Sequence, residues 1–198
     1  TAWNHITGHG TKEGERLPFP SDVKELHVLV GGIIKANMAS VLLSPTLENV
    51  CIWQSESEEY SKQPAFDLCE CIGRLRPDIF CSITDLTSAN LAEAERILQK
   101  HFRCARSDAV LFNVTSGNRI MSFAVQNVAR LHPNIELIYR DIDAPPFEFT
   151  WLDYTQYPPI SGTYTAKDVP PASDLNWDFL WNREKYSNAE DFIQKLKG

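Results

Sequence analysis

Two short stretches hold the residue types best suited to chemistry, Gly31-Gly32-Ile33-Ile34-Lys35 and Asn113-Val114-Thr115-Ser116-Gly117-Asn118-Arg119. Each follows a short apolar run and precedes a helical pattern. Each therefore places its glycines at a helix N-terminus, where free N–H groups and the helix dipole favour an anion. The second stretch adds hydroxyls at 115 and 116, side-chain amides at 113 and 118, a glycine that admits close backbone approach, and a guanidinium at 119. That is an inventory for a phosphate or a nucleotide. Plain turn and cap geometry uses Gly, Ser and Asn in the same places, so the stretch alone leaves both readings open. Neither stretch is a G-x-G-x-x-G or a Walker sequence, which argues against the nucleotide cofactors of those classes.

Other candidates are weaker. His5 and His9 have the i, i+4 spacing of a metal pair, but Gly8 and Gly10 argue against a helix there. Cys69 and Cys71 are too close for the usual zinc spacing. Both pairs read as structural, and neither a metal site nor a cofactor is expected. No G-x-S-x-G elbow is present to anchor a hydrolase. Asp141 and Asp143 read as the end of a strand and the start of a turn, and no catalytic residue is assigned. Asn113-Val114-Thr115 matches a glycosylation sequon but sits at an expected strand end.

The chain has 198 residues, a net charge of −7, 43% hydrophobic and 23% charged residues, enough for one globular domain with a full core. The acidic balance argues against binding long nucleic acid, which needs a basic face. The five cysteines (51, 69, 71, 81 and 104) are odd in number and scattered through expected elements, as reduced thiols of a cytoplasmic protein would be. Leu26 to Pro45 is apolar enough to suggest a membrane span. Lys35 at its midpoint, however, would cost about 2.5–3.5 kcal/mol there. Gly31-Gly32 also divides it, so it reads as strand, loop and helix.

A rhythm runs through the chain. Apolar runs at Leu26–Val30, Val50–Trp53, Asp78–Thr84, Ala109–Phe112 and Ile135–Tyr139 predict five strands. Helical patterns over Lys35–Leu43, Glu58–Arg76 (divided by Pro64), Leu91–Phe102 (with Ser88 as N-cap) and Met121–Val128 alternate with them. The expectation is an α/β fold, a Rossmann-like and mainly parallel sheet with helices on both faces. Phe147–Trp151 alternates like a strand that pairs with a run near Tyr164, and Ser187-Asn188-Ala189-Glu190 reads as a capping box opening a last helix. These add a C-terminal hairpin and helix. Residues 1–25 read as a polar arm or linker, 26–155 as a ligand-sensing domain, and 156–198 as a C-terminal extension.

The run Phe112-Asn-Val-Thr-Ser-Gly-Asn-Arg-Ile-Met-Ser122 resembles the N-x-T-G-G-T-K-x-M signature of CRISPR-associated Rossmann-fold (CARF) domains, sensor modules of type III CRISPR ancillary proteins. It departs at Ser116 for Gly, Asn118 for Thr and Arg119 for Lys. The resemblance covers about residues 26–155. It implies binding of a cyclic oligoadenylate second messenger, cyclic tetra-adenylate favoured, across a homodimer in antiviral defence. A two-fold dimer presents each anion-binding loop twice to a symmetric ring. The ligand-binding residues it implies are Gly31, Gly32, Ile33, Ile34, Lys35, Asn113, Thr115, Ser116, Gly117, Asn118 and Arg119. Such sensors control an effector. None is legible here, so it is expected before Thr1 or after Gly198, as an enzymatic domain or as a membrane helix that would tether the chain to the inner face. The rival is a ring nuclease that cuts its messenger by metal-independent attack of the ribose 2′-OH, for which the loops offer no general base. A third class is an interaction domain with a vestigial pocket.

Overall fold

The structure is a computed structural model that describes residues 12–20, 22–103, 109–166 and 174–198. His5, His9 and Cys104 lie outside the described residues. Among the described residues, eight strands and six α-helices follow in chain order. They are β1 (Arg16–Pro18), β2 (Glu25–Leu29), α1 (Lys35–Leu42), β3 (Asn49–Gln54), α2 (Gln63–Leu75), β4 (Phe80–Asp85), α3 (Leu91–Arg103) and β5 (Val110–Asn113). Then come α4 (Arg119–Ala129), β6 (Ile135–Tyr139), β7 (Glu148–Asp153), β8 (Ile160–Thr165), α5 (Trp177–Trp181) and α6 (Ala189–Lys197). One sheet contains all eight strands in the order β1-β8-β7-β6-β5-β2-β3-β4.

From β6 to β4 every pairing is parallel. Successive strands step outward in one direction from β2 to β3 and β4, then restart on its other side with β5 and β6. This is the mostly parallel, Rossmann-like α/β arrangement expected from the alternation of elements. The only antiparallel pairs among the described residues are β6–β7 and β7–β8, the expected hairpin lying beside β6.

The period-two alternation of each strand decides what packs where. Leu26, Val28, Val50, Ile52 and Leu111 point to one face, under Met38 and Val41 of α1, Leu68 and Ile72 of α2, and Phe192 and Leu196 of α6. Leu29, Cys51, Trp53, Phe112 and Leu137 point to the other, under Ala94, Leu98 and Phe102 of α3 and Met121 and Val125 of α4. With both faces covered, β2, β5 and β6 are largely apolar on both sides, interrupted inside the sheet only by His27 and Glu136, rather than alternating.

Several boundaries differ from expectation. The arm contains β1, which pairs parallel with β8 at the sheet edge. Three residues carry no periodic signal of their own. Arg16 instead pairs with Glu148, and the Glu15 carbonyl accepts from Thr163 N–H and Trp151 Nε1–H. Pro64 does not break a helix. It sits in the first turn of α2, where a missing N–H costs nothing, after one π-helical turn at Glu58–Lys62. Asn90, not Ser88, caps α3, its Oδ1 accepting from Glu93 N–H at 3.1 Å. Ser88 donates its N–H and hydroxyl to Glu56 instead, holding that carboxyl down at about 2. At α6 the cap is Asn188, accepting from Asp191 N–H at 3.0 Å, while Glu190 pairs with Arg74 of α2. No helix among the described residues is long and apolar enough to cross a membrane.

Candidate functional site

The strand order reverses between β2 and β5, and a ligand crevice in such a sheet opens beyond the strand carboxyl ends at that reversal. The two stretches singled out from sequence are the loops that leave those two strands. Gly31 and Gly117 bring them together. A Cβ on Gly31 would lie 2.8 Å from the Gly117 backbone nitrogen, so only a glycine allows the approach. Gly117 has φ +101°, a region that L side chains rarely adopt, and a Cβ there would sit 2.9 Å from Leu29 Cβ.

Side chains complete the junction. Ser116 Oγ donates to the Ile33 carbonyl at 2.8 Å, tying the second loop to the first. Asn113 is fully buried. Its Nδ2 donates to Ser40 Oγ at 3.1 Å and to the Ala36 carbonyl at 3.2 Å, and its Oδ1 accepts from Thr115 N–H at 3.0 Å. Thr115 Oγ1 accepts the Arg140 N–H at 2.9 Å, which anchors the loop to the end of β6. Asn118 caps α4, its Oδ1 accepting from Met121 N–H at 3.0 Å. Backbone N–H groups of Gly32, Ile33, Gly117 and Asn118 donate to no described residue. Arg119 is exposed on the first turn of α4 and pairs with no described residue. Among the described residues, the crest therefore offers unpartnered amides, one unpaired guanidinium and an α4 N-terminus without an acidic residue in its first turn.

Lys35 is placed differently from the rest. Its side chain is buried, with Nζ donating to the Asn182 carbonyl at 3.1 Å and to Asn182 Oδ1 at 3.0 Å, 3.9 Å from the centre of the Phe179 ring. Burial lowers its pKa to about 8. Next to it, Ile34 is buried and its N–H donates to Tyr186 Oη at 3.0 Å. The first loop is thus held from below by the C-terminal segment. Ile33 is exposed beside these anchored neighbours.

Sequence patterning did not indicate Tyr60, Ser61, Asn182 or Tyr186 at this site. Ser61 Oγ donates to the Val30 carbonyl at 3.0 Å and accepts Ser55 N–H at 2.7 Å, so the π-helical turn is fastened to the ends of β2 and β3. That places the exposed Tyr60 ring near Gly32, where a Cβ would meet its Cδ1 at 3.8 Å. Nothing in a polar run of Glu, Tyr and Ser announces such a turn.

Asp141 and Asp143 form a local turn after β6, Asp143 N–H donating to Asp141 Oδ1 at 2.9 Å while Asp143 pairs with Arg183 at 2.6 Å. Cys71 is buried in α2 with its thiol on the Ala189 carbonyl, and burial pushes it up to about 12. Among the described residues one group of metal-ligating side chains converges, His27, Cys51 and His101, and it lies on the sheet face rather than at the crest. Compared with known proteins, the chain matches no family model and no curated protein.

Proposed function

We propose that this chain is a sensor module that binds a cyclic oligoadenylate, with the cyclic tetra-adenylate favoured, across a homodimer, and so controls an effector in type III CRISPR antiviral defence in the cytoplasm. What supports it is one observation, the junction of the β2 and β5 loops at the strand-order reversal. There Gly31 meets Gly117 backbone to backbone, with unpartnered amides and Arg119 at the mouth. Amides fixed at a helix N-terminus bind phosphate without a basic surface, which suits an acidic protein. The charged contact falls to Arg119, because the Lys35 ammonium is already engaged by Asn182. Ser116 and Asn118 serve the loop geometry through their side chains, which leaves their backbone amides for the ligand.

Calorimetric titration with cyclic tri-, tetra- and hexa-adenylate tests the reading, followed by chromatography of the recovered ligand. Binding of one intact ring per two chains is the expected result. Recovery of a linear product would replace the sensor by a ring nuclease, and no binding of any ring would overturn the reading. Light scattering gives the assembly. A monomer at micromolar concentration, both with and without ligand, would remove the dimer from the proposal.

A further inference from the structure

The face of the sheet turned toward α3 carries side chains that the crest does not use. His27 of β2 and Cys51 of β3 are direct cross-strand partners in the parallel register, and His101 projects from the last turns of α3. Their donor atoms all lie within 4.8 Å of one another. A groove of about 820 Å³ opens onto Cys51 and His101, with Ser82, Thr84, Arg96 and Lys100 among its walls.

The hydrogen bonds around His27 fix its tautomer. The Glu25 carboxylate only accepts, so His27 Nε2 carries the proton and donates to Glu25 Oε1 at 2.7 Å. The indole N–H only donates, so His27 Nδ1 holds a lone pair that accepts Trp53 Nε1–H at 2.9 Å. A carboxylate behind one ring nitrogen and a lone pair on the other is the arrangement that orients a metal-binding histidine. A neutral N–H is a weaker partner for that lone pair than a divalent cation.

We propose that His27, Cys51 and His101 form a binding site for a borderline divalent metal ion of the zinc class. Two imidazole nitrogens and a thiolate select such an ion over calcium or magnesium, which prefer oxygen. Tetrahedral bonds to zinc would set the donors about 3.3–3.6 Å apart, a closure of at most about 1.5 Å for donors that lie within 4.8 Å of one another. His101 can supply that movement because its side chain is exposed. Three protein donors leave the fourth position to a water from the groove, the pattern of a zinc site that is open rather than sealed. Coordination releases the Cys51 thiol proton to solvent and displaces Trp53 N–H from His27 Nδ1.

Cobalt(II) makes the site visible. The full chain, stripped with chelator and kept reduced, is titrated with cobalt while the thiolate-to-cobalt charge-transfer band and the visible bands of a tetrahedral ion are followed. One equivalent per chain is expected, displaced by zinc. Cys51→Ser is expected to abolish the charge-transfer band, and His101→Ala to weaken binding at least about tenfold. His101→Ala alters an exposed side chain, so it reports on coordination even if the variant at the buried strand position folds poorly. Absence of the band would overturn the site. So would a band that survives Cys51→Ser, or an affinity unchanged in His101→Ala. None of these outcomes depends on whether the crest binds a cyclic nucleotide.

Discussion

Adding one methyl group at Gly31 sets two loops against each other. An alanine Cβ there would lie 2.8 Å from the Gly117 nitrogen, and ordinary contact begins near 3.4 Å, so the loops must part by about 0.6 Å. Neither side has room to yield. Gly117 is backed by Leu29, and the Ser116–Ile33 hydrogen bond spans the same gap. Forcing an extra carbon into such a contact costs about 1–3 kcal/mol. For a domain of this size each kcal/mol lowers the melting temperature by about 2–4 °C, so Gly31→Ala should melt about 2–12 °C below the wild type. Gly32→Ala is the matched control. A Cβ at that position meets only Tyr60 Cδ1, at 3.8 Å, and the backbone is not in the left-handed region. Removing chain freedom there should be neutral or should stabilise by about 0.4–1 kcal/mol. Thermal melts of both variants, followed by circular dichroism and checked by urea titration, separate the two neighbours. If Gly31→Ala and Gly32→Ala melt together, the backbone contact between the loops is not the constraint described.

Under the proposed function, Arg119→Ala should weaken binding of the cyclic oligoadenylate by about 1.5–3 kcal/mol. It should leave the melting temperature unchanged, because the guanidinium pairs with no described residue; calorimetry beside a melt checks both halves. Tyr186→Phe removes the acceptor of the buried Ile34 N–H and should cost about 1–3 kcal/mol in a urea titration. The Cys71 thiol is held up to about 12 in the fold against 9.0 for a free thiol. Between those values the unfolded chain has lost a proton that the folded chain retains, so this thiol's contribution to stability falls as pH rises above 9. Cys71→Ala should therefore lose stability less steeply than the wild type from pH 9 upward, as urea midpoints across that range would report.

The core strands were legible because β2, β5 and β6 are covered on both faces, which makes them mostly apolar runs despite His27 and Glu136. The crest loops were legible for a related reason, since the chain pattern places each at a strand end before a helix. What escaped was set by contacts distant in sequence. Lys35 offered a charge at a helix start, but its partner Asn182 lies 147 residues away and turns that charge toward the C-terminal segment. Ser88 and Asn90 are both good caps on local grounds, and Glu56 decided between them by taking the Ser88 hydroxyl. Strand β1 owes its pairing to the β8 edge rather than to its own residues. His27 and Cys51 lie 24 positions apart, and only the parallel register of β2 and β3 sets them side by side.

The two borders of the sheet are finished differently. β1 is three residues long and ends in Pro18, whose ring nitrogen has no hydrogen to donate, so that border offers little for a foreign strand to join. β4 closes the opposite border with six residues, among them Phe80 with 68% of its surface exposed, and no described strand lies outside it. Among the described residues, self-association by sheet extension, in concentrated solution or during refolding, therefore has one border open to it. A lysine or proline placed on the outer border of β4 would make the molecule as inert on that side as Pro18 makes it on the other.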